Sequence, residues 1–372
     1  MSDIPTTINT WRMVEGPVFD PASKKPVRPG KLARTAIPMP ALAEGDALVK
    51  VAGCGVCHTD LGYYFDGVPT VTKPPLTLGH EISGTVVAGP DRLVGKNVIV
   101  PAVMPCNQPG CPICAMGRGN RCLAQKMPGN SLGVYGGFSD YIPVPAGDLC
   151  VIEDLKGIPL SNYAVVADAG TTPYQAAARA DIKEGDLVMV FGASGGVGGY
   201  MTQIAKALGA KVVVGLDVDD EKLKKTLQYG ADYVINVKGK DLAAVREEWK
   251  AICKGAGVPS NFGWKIFEAT GVGAAQDLAL GLLSFVGKLV VIGFGLAKNT
   301  YSISRLMAFD AELIGTWGCL PKYYPKVLEL VQSGQVQIQP FLETKPMSQI
   351  AEVFDRAHHG EFSKRQVLTP DF

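Results

Sequence analysis

The run Gly53-Cys54-Gly55-Val56-Cys57-His58-Thr59-Asp60-Leu61-Gly62 sets a thiol, an imidazole, a hydroxyl and a carboxylate on consecutive residues, between glycines that free the backbone. A strand ending at Cys57 and turning into a short helix at Thr59-Asp60 aims the thiolate at a metal and the hydroxyl at a substrate oxygen. Further on, Gly79-His80-Glu81 places an imidazole beside a carboxylate. In a chain with 4 histidines a lone one is ordinarily a core or surface residue, but this setting is less ordinary. Cys57 and His80 together supply two ligands of a catalytic zinc, which needs a third protein ligand and an open position.

A second group, Cys106-x4-Cys111-x2-Cys114-x7-Cys122, falls on one short, turn-rich loop. Four thiols so spaced match a closed, all-thiolate tetrahedral zinc that stabilises its loop and leaves no place for substrate. The bland alternative, four unrelated thiols, is disfavoured by the spacing. Cys54, Cys150, Cys253 and Cys319 read as small buried residues. The N-terminus Met1-Ser2-Asp3-Ile4-Pro5-Thr6-Thr7 shows no basic stretch followed by an apolar run, so 9 cysteines point to metal ligands and buried thiols in a cytoplasmic protein, not to disulfides.

A third signal is the turn Gly192-Ala193-Ser194-Gly195-Gly196-Val197-Gly198, after a strand and opening a helix. Glycines are needed where a side chain would block a pyrophosphate seated on free N–H groups. A tight structural turn is the alternative. The next strand ends in Asp217, about the 20 residues on that a ribose-binding carboxylate requires. With Asp219 and Asp220 behind it, Asp217 repels a ribose 2′-phosphate and favours NAD over NADP; as a mere helix cap it would do neither.

The elements that carry these groups change texture along the chain. From Thr7 to about Val151 short β-type runs, Ala47–Val51, Gly84–Val87, Asn97–Val100 and Tyr141–Val144, are broken by Gly and Pro, as in an irregular barrel. From Asp168 to about Trp317 strands alternate with helices in the rhythm of a doubly wound parallel sheet: Leu187–Phe191, Gly199–Leu208, Lys211–Leu216, Glu221–Tyr229, Tyr233–Ile235 and Lys288–Gly293. Helices at Tyr324–Ser333 and Met347–His358 and a strand at Arg365–Leu368 follow. The fold class is therefore α/β plus mostly β. A coenzyme domain, 166–317, is inserted into a catalytic domain, 1–165 and 318–372. A composition of 47% hydrophobic and 19% charged residues with net charge +1 gives no footprint for nucleic acid or a membrane. The uncharged stretch Leu187–Ala205 is too rich in glycine for a membrane helix.

Gly55-Val56-Cys57-His58-Thr59-Asp60, Gly79-His80-Glu81, the four-cysteine loop and the Gly-rich turn, in that order, resemble the zinc-dependent medium-chain alcohol dehydrogenases across essentially the whole chain. The resemblance implies a GroES-like catalytic domain around an inserted Rossmann domain, with NAD as cofactor and a catalytic and a structural zinc ion. It implies that Glu81 lies beside the catalytic zinc as a neighbour or transient ligand, and that Asp60 orients His80. It implies, too, that Thr59 takes the alcohol proton, that His58 and Arg365 reach the coenzyme pyrophosphate, and that Lys222 approaches the adenosine ribose. Relatives are homo-oligomers, dimers or tetramers. Two positions depart from the best-known members. Asp168 stands where many carry a third cysteine ligand, with a helix N-cap before Thr171 as its other reading. Gly62 stands where several carry a histidine that passes the proton to water.

The runs Ala124–Asn130, Gly263–Glu268, Leu306–Phe309 and Trp317–Cys319 resemble one subgroup, the 6-hydroxycyclohex-1-ene-1-carbonyl-CoA dehydrogenases of anaerobic benzoyl-CoA degradation. That resemblance implies NAD-dependent oxidation of a ring alcohol to a conjugated ketone on a CoA thioester. The loop Tyr63–Lys73 and the stretch Trp317–Tyr324 are candidate pocket walls. A secondary alcohol dehydrogenase without CoA, a zinc-free quinone or enoyl reductase, and a non-catalytic NAD-binding protein remain as alternatives.

Overall fold

The computed structural model describes residues 4–23 and 25–372; residues 1–3, part of the terminus read above for a leader, lie outside them. The chain forms two compact units, Met1–Asp168 with Gly318–Glu329 and Ile338–Phe372, and Ala169–Trp317 with Leu330–Gln337.

The first unit is built on the strand Asp46–Gly55, whose near-continuous burial reflects partners on both sides. It pairs antiparallel with Glu81–Ala88, Tyr141–Pro145 and Arg365–Thr369. The full order is Cys150–Ile152, Asn97–Val100, Glu81–Ala88, Asp46–Gly55, Arg365–Thr369, Leu342–Pro346, in a 7-stranded sheet with Tyr141–Pro145 off that path. Register shifts between Leu48 and Val49 and between Val51 and Gly53 bend the hub strand. The register then sets Gly55 opposite both Glu81 and Val367. Val49, Ile82, Val98, Phe138, Ile142, Phe354 and Leu368 fill the core. A separate sheet joins Lys31–Pro38, Thr7–Glu15 and Leu76–Thr77, of which the sequence reading had named none.

The second unit is a parallel sheet of 6 strands in the order Tyr233–Asn236, Val212–Asp217, Leu187–Phe191, Trp264–Glu268, Lys288–Val291, Glu312–Gly315. Strands buried on both faces read as unbroken apolar runs, as Leu187-Val188-Met189-Val190-Phe191 does, because helices cover the sheet on each side. Trp249 of the helix Leu242–Ala256 packs edge-on to Trp264, with centroids 5.4 Å apart. Among the described residues no helix is long and apolar enough to cross a membrane.

Four local expectations are corrected. The hub strand ends at Gly55 and not at Cys57, because Cys57 caps the helix His58–Tyr64 with φ −105° and ψ 153°. That helix also removes Tyr63 and Tyr64 from the expected loop. Asp168 does not cap the helix Thr171–Ala180, whose N-cap is Gly170 without a side-chain bond. The segment expected to be helical from Met347 starts with a 3-10 turn and becomes α-helical at Ile350.

Candidate metal centre and coenzyme turn

Cys57, His80, Glu81 and Asp168 converge in the first unit, each offering a ligand atom within 4.8 Å of the others. The convergence follows from the chain path. The hub strand delivers Cys57 just past its end, the neighbouring strand begins at Glu81 with His80 immediately before it, and Asp168 closes the 3-10 segment Leu160–Ala167. Cys57 Sγ lies 3.7 Å from Asp168 Oδ2, and His80 Nε2 lies 3.5 Å from the same oxygen. Thiolate, imidazole and carboxylate are the donor set zinc accepts, so the residues fit the metal.

Asp60 organises this set although its own side chain is fully buried. Oδ2 accepts the Cys57 N–H at 3.1 Å, and Oδ1 accepts the Gly79 N–H at 3.0 Å and faces His80 Nδ1 at 3.3 Å. Held by Nδ1, the ring turns Nε2 toward Asp168, which is how a carboxylate fixes a metal-binding histidine. Burial pulls the His80 pKa down, but Asp60 and Asp168 outweigh it and hold the value well above the usual range. Thr59 Oγ1 sits 3.7 Å from Cys57 Sγ, beside the donors rather than among them.

Arg365 donates from Nε to Glu81 Oε2 at 2.7 Å and from Nη2 to Oε1, a two-point pair whose side chains are 6% and 0% exposed. Burial pushes the Glu81 carboxyl up, against the pull of Arg365. Arg365, expected at a pyrophosphate, is thus committed through two of its five N–H groups to a neighbour of the metal cluster. His58 opens the helix next to Cys57, and desolvation, then Arg365 and His358, lower its pKa.

Sequence reasoning missed what Gly55 does. A Cβ there would lie 2.0 Å from Glu81 Oε2, so the ion pair occupies space that only glycine leaves open. Nothing local marks it, since the contact is made across the ladder. It also missed the link from Asn130 to Tyr63: Nδ2 donates to the Tyr63 hydroxyl at 2.6 Å, while Oδ1 accepts the Val71 N–H at 3.0 Å.

The four-cysteine loop closes as its spacing predicts. Cys106 and Cys114 Sγ are 3.8 Å apart, Cys111 and Cys122 Sγ 3.7 Å, and all four thiols lie within 4.8 Å of one another. Short turns at Pro112–Ala115 and Gly119–Arg121 fold the ligands inward. An all-thiolate set of this size fits zinc.

In the second unit, the Gly-rich turn joins Leu187–Phe191 to the helix Gly198–Ala207. Gly192 has φ +74°, and a Cβ on Gly198 would meet Gly192 O at 2.0 Å, so the turn is too tight for side chains at either place. Gly195 and Gly196 are exposed, with Val197 at the helix cap. This is the cradle a pyrophosphate fits. Asp217 does not cap the following helix; Asp219 does, accepting from Glu221 N at 3.0 Å and Lys222 N at 3.1 Å.

Two family models match the chain, an alcohol dehydrogenase GroES-like domain over residues 43–154 and a zinc-binding dehydrogenase over residues 196–333. An NAD-dependent alcohol dehydrogenase of Sulfolobus acidocaldarius is 32% identical over 344 residues, 89% of this chain and 94% of the relative. An alcohol dehydrogenase of Geobacillus stearothermophilus is 32% identical over 335 residues, 88% and 93%. The solved structure of acetophenone reductase from Geotrichum candidum in complex with NAD superposes with a TM-score of 0.78 at 27% identity, covering 99% of this chain and 98% of that one. With this coverage and these metal-ligand constellations, the chain belongs to the zinc-dependent medium-chain alcohol dehydrogenase family.

Proposed function

We propose that the protein is an NAD-dependent zinc alcohol dehydrogenase that oxidises 6-hydroxycyclohex-1-ene-1-carbonyl-CoA to the conjugated 6-oxo thioester, a step of anaerobic benzoyl-CoA degradation. The dehydrogenase part rests on one observation above others, the convergence of Cys57, His80 and Asp168 with the Thr59 hydroxyl beside them. The substrate part is supported by the four sequence runs that resemble that subgroup; Asn130, from one of them, ties Tyr63 to the segment around Val71.

Cys57, His80 and Asp168 would hold the catalytic zinc, and Cys106, Cys111, Cys114 and Cys122 the structural one. When bound, zinc supplies Lewis-acid polarisation of the alcohol oxygen and NAD supplies the hydride acceptor. Asp60 keeps the His80 ring in its ligating orientation. Thr59 Oγ1 takes the alcohol proton. Arg365 holds the Glu81 carboxylate as a neighbour of the metal. The turn Gly192–Gly198 presents free N–H groups to the pyrophosphate, with His58 and Lys222 as further coenzyme contacts, and Asp217 takes the ribose. With Gly62 in place of a relay histidine, the proton on Thr59 has no imidazole to leave by. In reverse, hydride can then add to the β carbon of the enone as well as to its carbonyl. We also read the protein as a cytoplasmic homo-oligomer, dimer or tetramer.

Turnover of the CoA-linked and the free ring alcohol, compared on the same preparation, tests the substrate. A clear preference for the thioester is expected, and equal kcat/KM for both would leave a general secondary alcohol dehydrogenase. Metal analysis tests the class: about two zinc ions per chain are expected, whereas none would indicate a zinc-free reductase. One structural ion without turnover would indicate a binding protein.

A further inference from the structure

The Gly-rich turn carries a single polar side chain, Ser194, and the structure uses it. The strands Leu187–Phe191 and Val212–Asp217 run parallel with Phe191 opposite Leu216, so the turn and Asp217 emerge side by side. Asp217 Oδ2 accepts the Ser194 N–H at 3.0 Å and the Ser194 hydroxyl at 2.6 Å, and Oδ1 accepts the Val218 N–H at 2.8 Å. A carboxylate offers roughly four acceptor sites. Both sites on Oδ2 are taken by Ser194, and one remains on Oδ1.

The short contact has a second effect. A serine hydroxyl has one proton, and a bond of 2.6 Å to a carboxylate commits it there. The Ser194 lone pairs are therefore left as acceptors beside the free site on Oδ1. A vicinal diol brings two O–H donors and matches this pair of acceptors. A phosphate ester brings only acceptors and about −1.5 to −2 charge, and it would meet two acceptors, one of them anionic. Nor can Asp217 swing aside, because the turn holds it by amide and hydroxyl together.

We infer that Ser194 reads the adenosine ribose jointly with Asp217 and makes the protein select the coenzyme that lacks a 2′-phosphate. This rests on the NAD reading proposed above. Asp217 supplies the charge; Ser194 supplies the second acceptor and fixes the charge in place.

The test measures dissociation constants for NADH and NADPH by coenzyme fluorescence on the zinc-loaded full chain, for the wild type, Ser194→Ala and Ser194→Thr. Zinc content and Tm are recorded alongside. The wild type is expected to prefer NADH. Ser194→Ala should weaken NADH by up to about tenfold, the value of one hydrogen bond, and leave NADPH within about twofold, so that the preference falls by as much. Ser194→Thr, which keeps the hydroxyl, should retain the preference. An unchanged NADH-to-NADPH ratio in Ser194→Ala overturns the inference, as does equal weakening of both coenzymes, which would make Ser194 a support of the turn alone. A wild type that prefers neither coenzyme overturns it too. A wild type that binds neither defeats the NAD reading itself, a result distinct from all of these.

Discussion

Replacing Gly55 by alanine should damage the metal centre through a residue that binds no metal. The added Cβ would lie 2.0 Å from Glu81 Oε2 and 3.0 Å from both Cβ and Cδ of Glu81. The backbone cannot yield easily, because Gly55 sits in the ladder between Glu81 and Val367. The carboxylate must then retreat by about 1 Å or more, giving up its two-point fit to Arg365, whose side chain is 6% exposed. Removing one partner of a buried pair costs about 3–5 kcal/mol. Here the charge is displaced and not deleted, so about 2–3 kcal/mol is expected, or a Tm drop of roughly 4–12 °C for a unit of this size. Thermal unfolding of the zinc-loaded protein measures it, repeated in a Glu81→Ala background. With the carboxylate gone, Gly55→Ala should cost less than about 1 kcal/mol beyond Glu81→Ala itself, since pairs in contact are non-additive. An equal Tm drop in both backgrounds would refute the mechanism.

Zinc uptake should strengthen with pH. In the metal-free chain Asp60 and Asp168 hold the His80 pKa well above its usual value despite burial. The stability contributed by that proton is present below the unfolded pKa and lost as pH rises through the folded one; zinc must displace the proton. Chelator competition at pH 6, 7 and 8 should show affinity falling up to about tenfold per pH unit below that pKa, and a flat profile would count against it. Cys111→Ser should unravel the four-thiol loop alone: hydrogen exchange should rise across 105–126 while the parallel sheet stays protected, and a globally unfolded variant would contradict this. At Gly62 an added Cβ would come 3.3 Å from Val68 Cγ2, so Gly62→His is best made with Val68→Ala. With deuterated NADH, the double variant should shift label toward the carbinol carbon, and an unchanged product ratio would exclude the relay explanation.

What was legible in the sequence was local. Cys57 with its neighbours, the spaced cysteines and the Gly-rich turn each fit within a few residues, so side-chain type and spacing sufficed. The alternation of strands and helices after Asp168 was readable because fully buried parallel strands are unbroken apolar runs. The pairing of Glu81 with Arg365 spans 284 residues and is set by sheet order, which composition does not encode. Gly55 looked like a flexible flank because its reason for being glycine lies on another strand. The strands Thr7–Glu15 and Lys31–Pro38 escaped notice because polar and charged residues such as Arg12, Lys31 and Arg34 interrupt their apolar positions.

These distant contacts bear on how many ligands the catalytic metal can have. Four donors lie within 4.8 Å of one another, yet a catalytic zinc keeps three protein ligands and an open position. On the proposed reading, a Cys57 thiolate and the Asp168 carboxylate would balance a zinc dication, with a ligating His80 neutral. A free Glu81 would add a surplus negative charge and close the fourth position, as in a structural site. Arg365 pairs with both Glu81 oxygens, so on the proposed reading the carboxylate stays beside the metal as a neighbour of its ligands. Gly55 makes the room in which that pair forms. On the proposed reading, the open coordination position depends on a guanidinium from the last strand and a missing Cβ on the hub strand as much as on the ligands themselves.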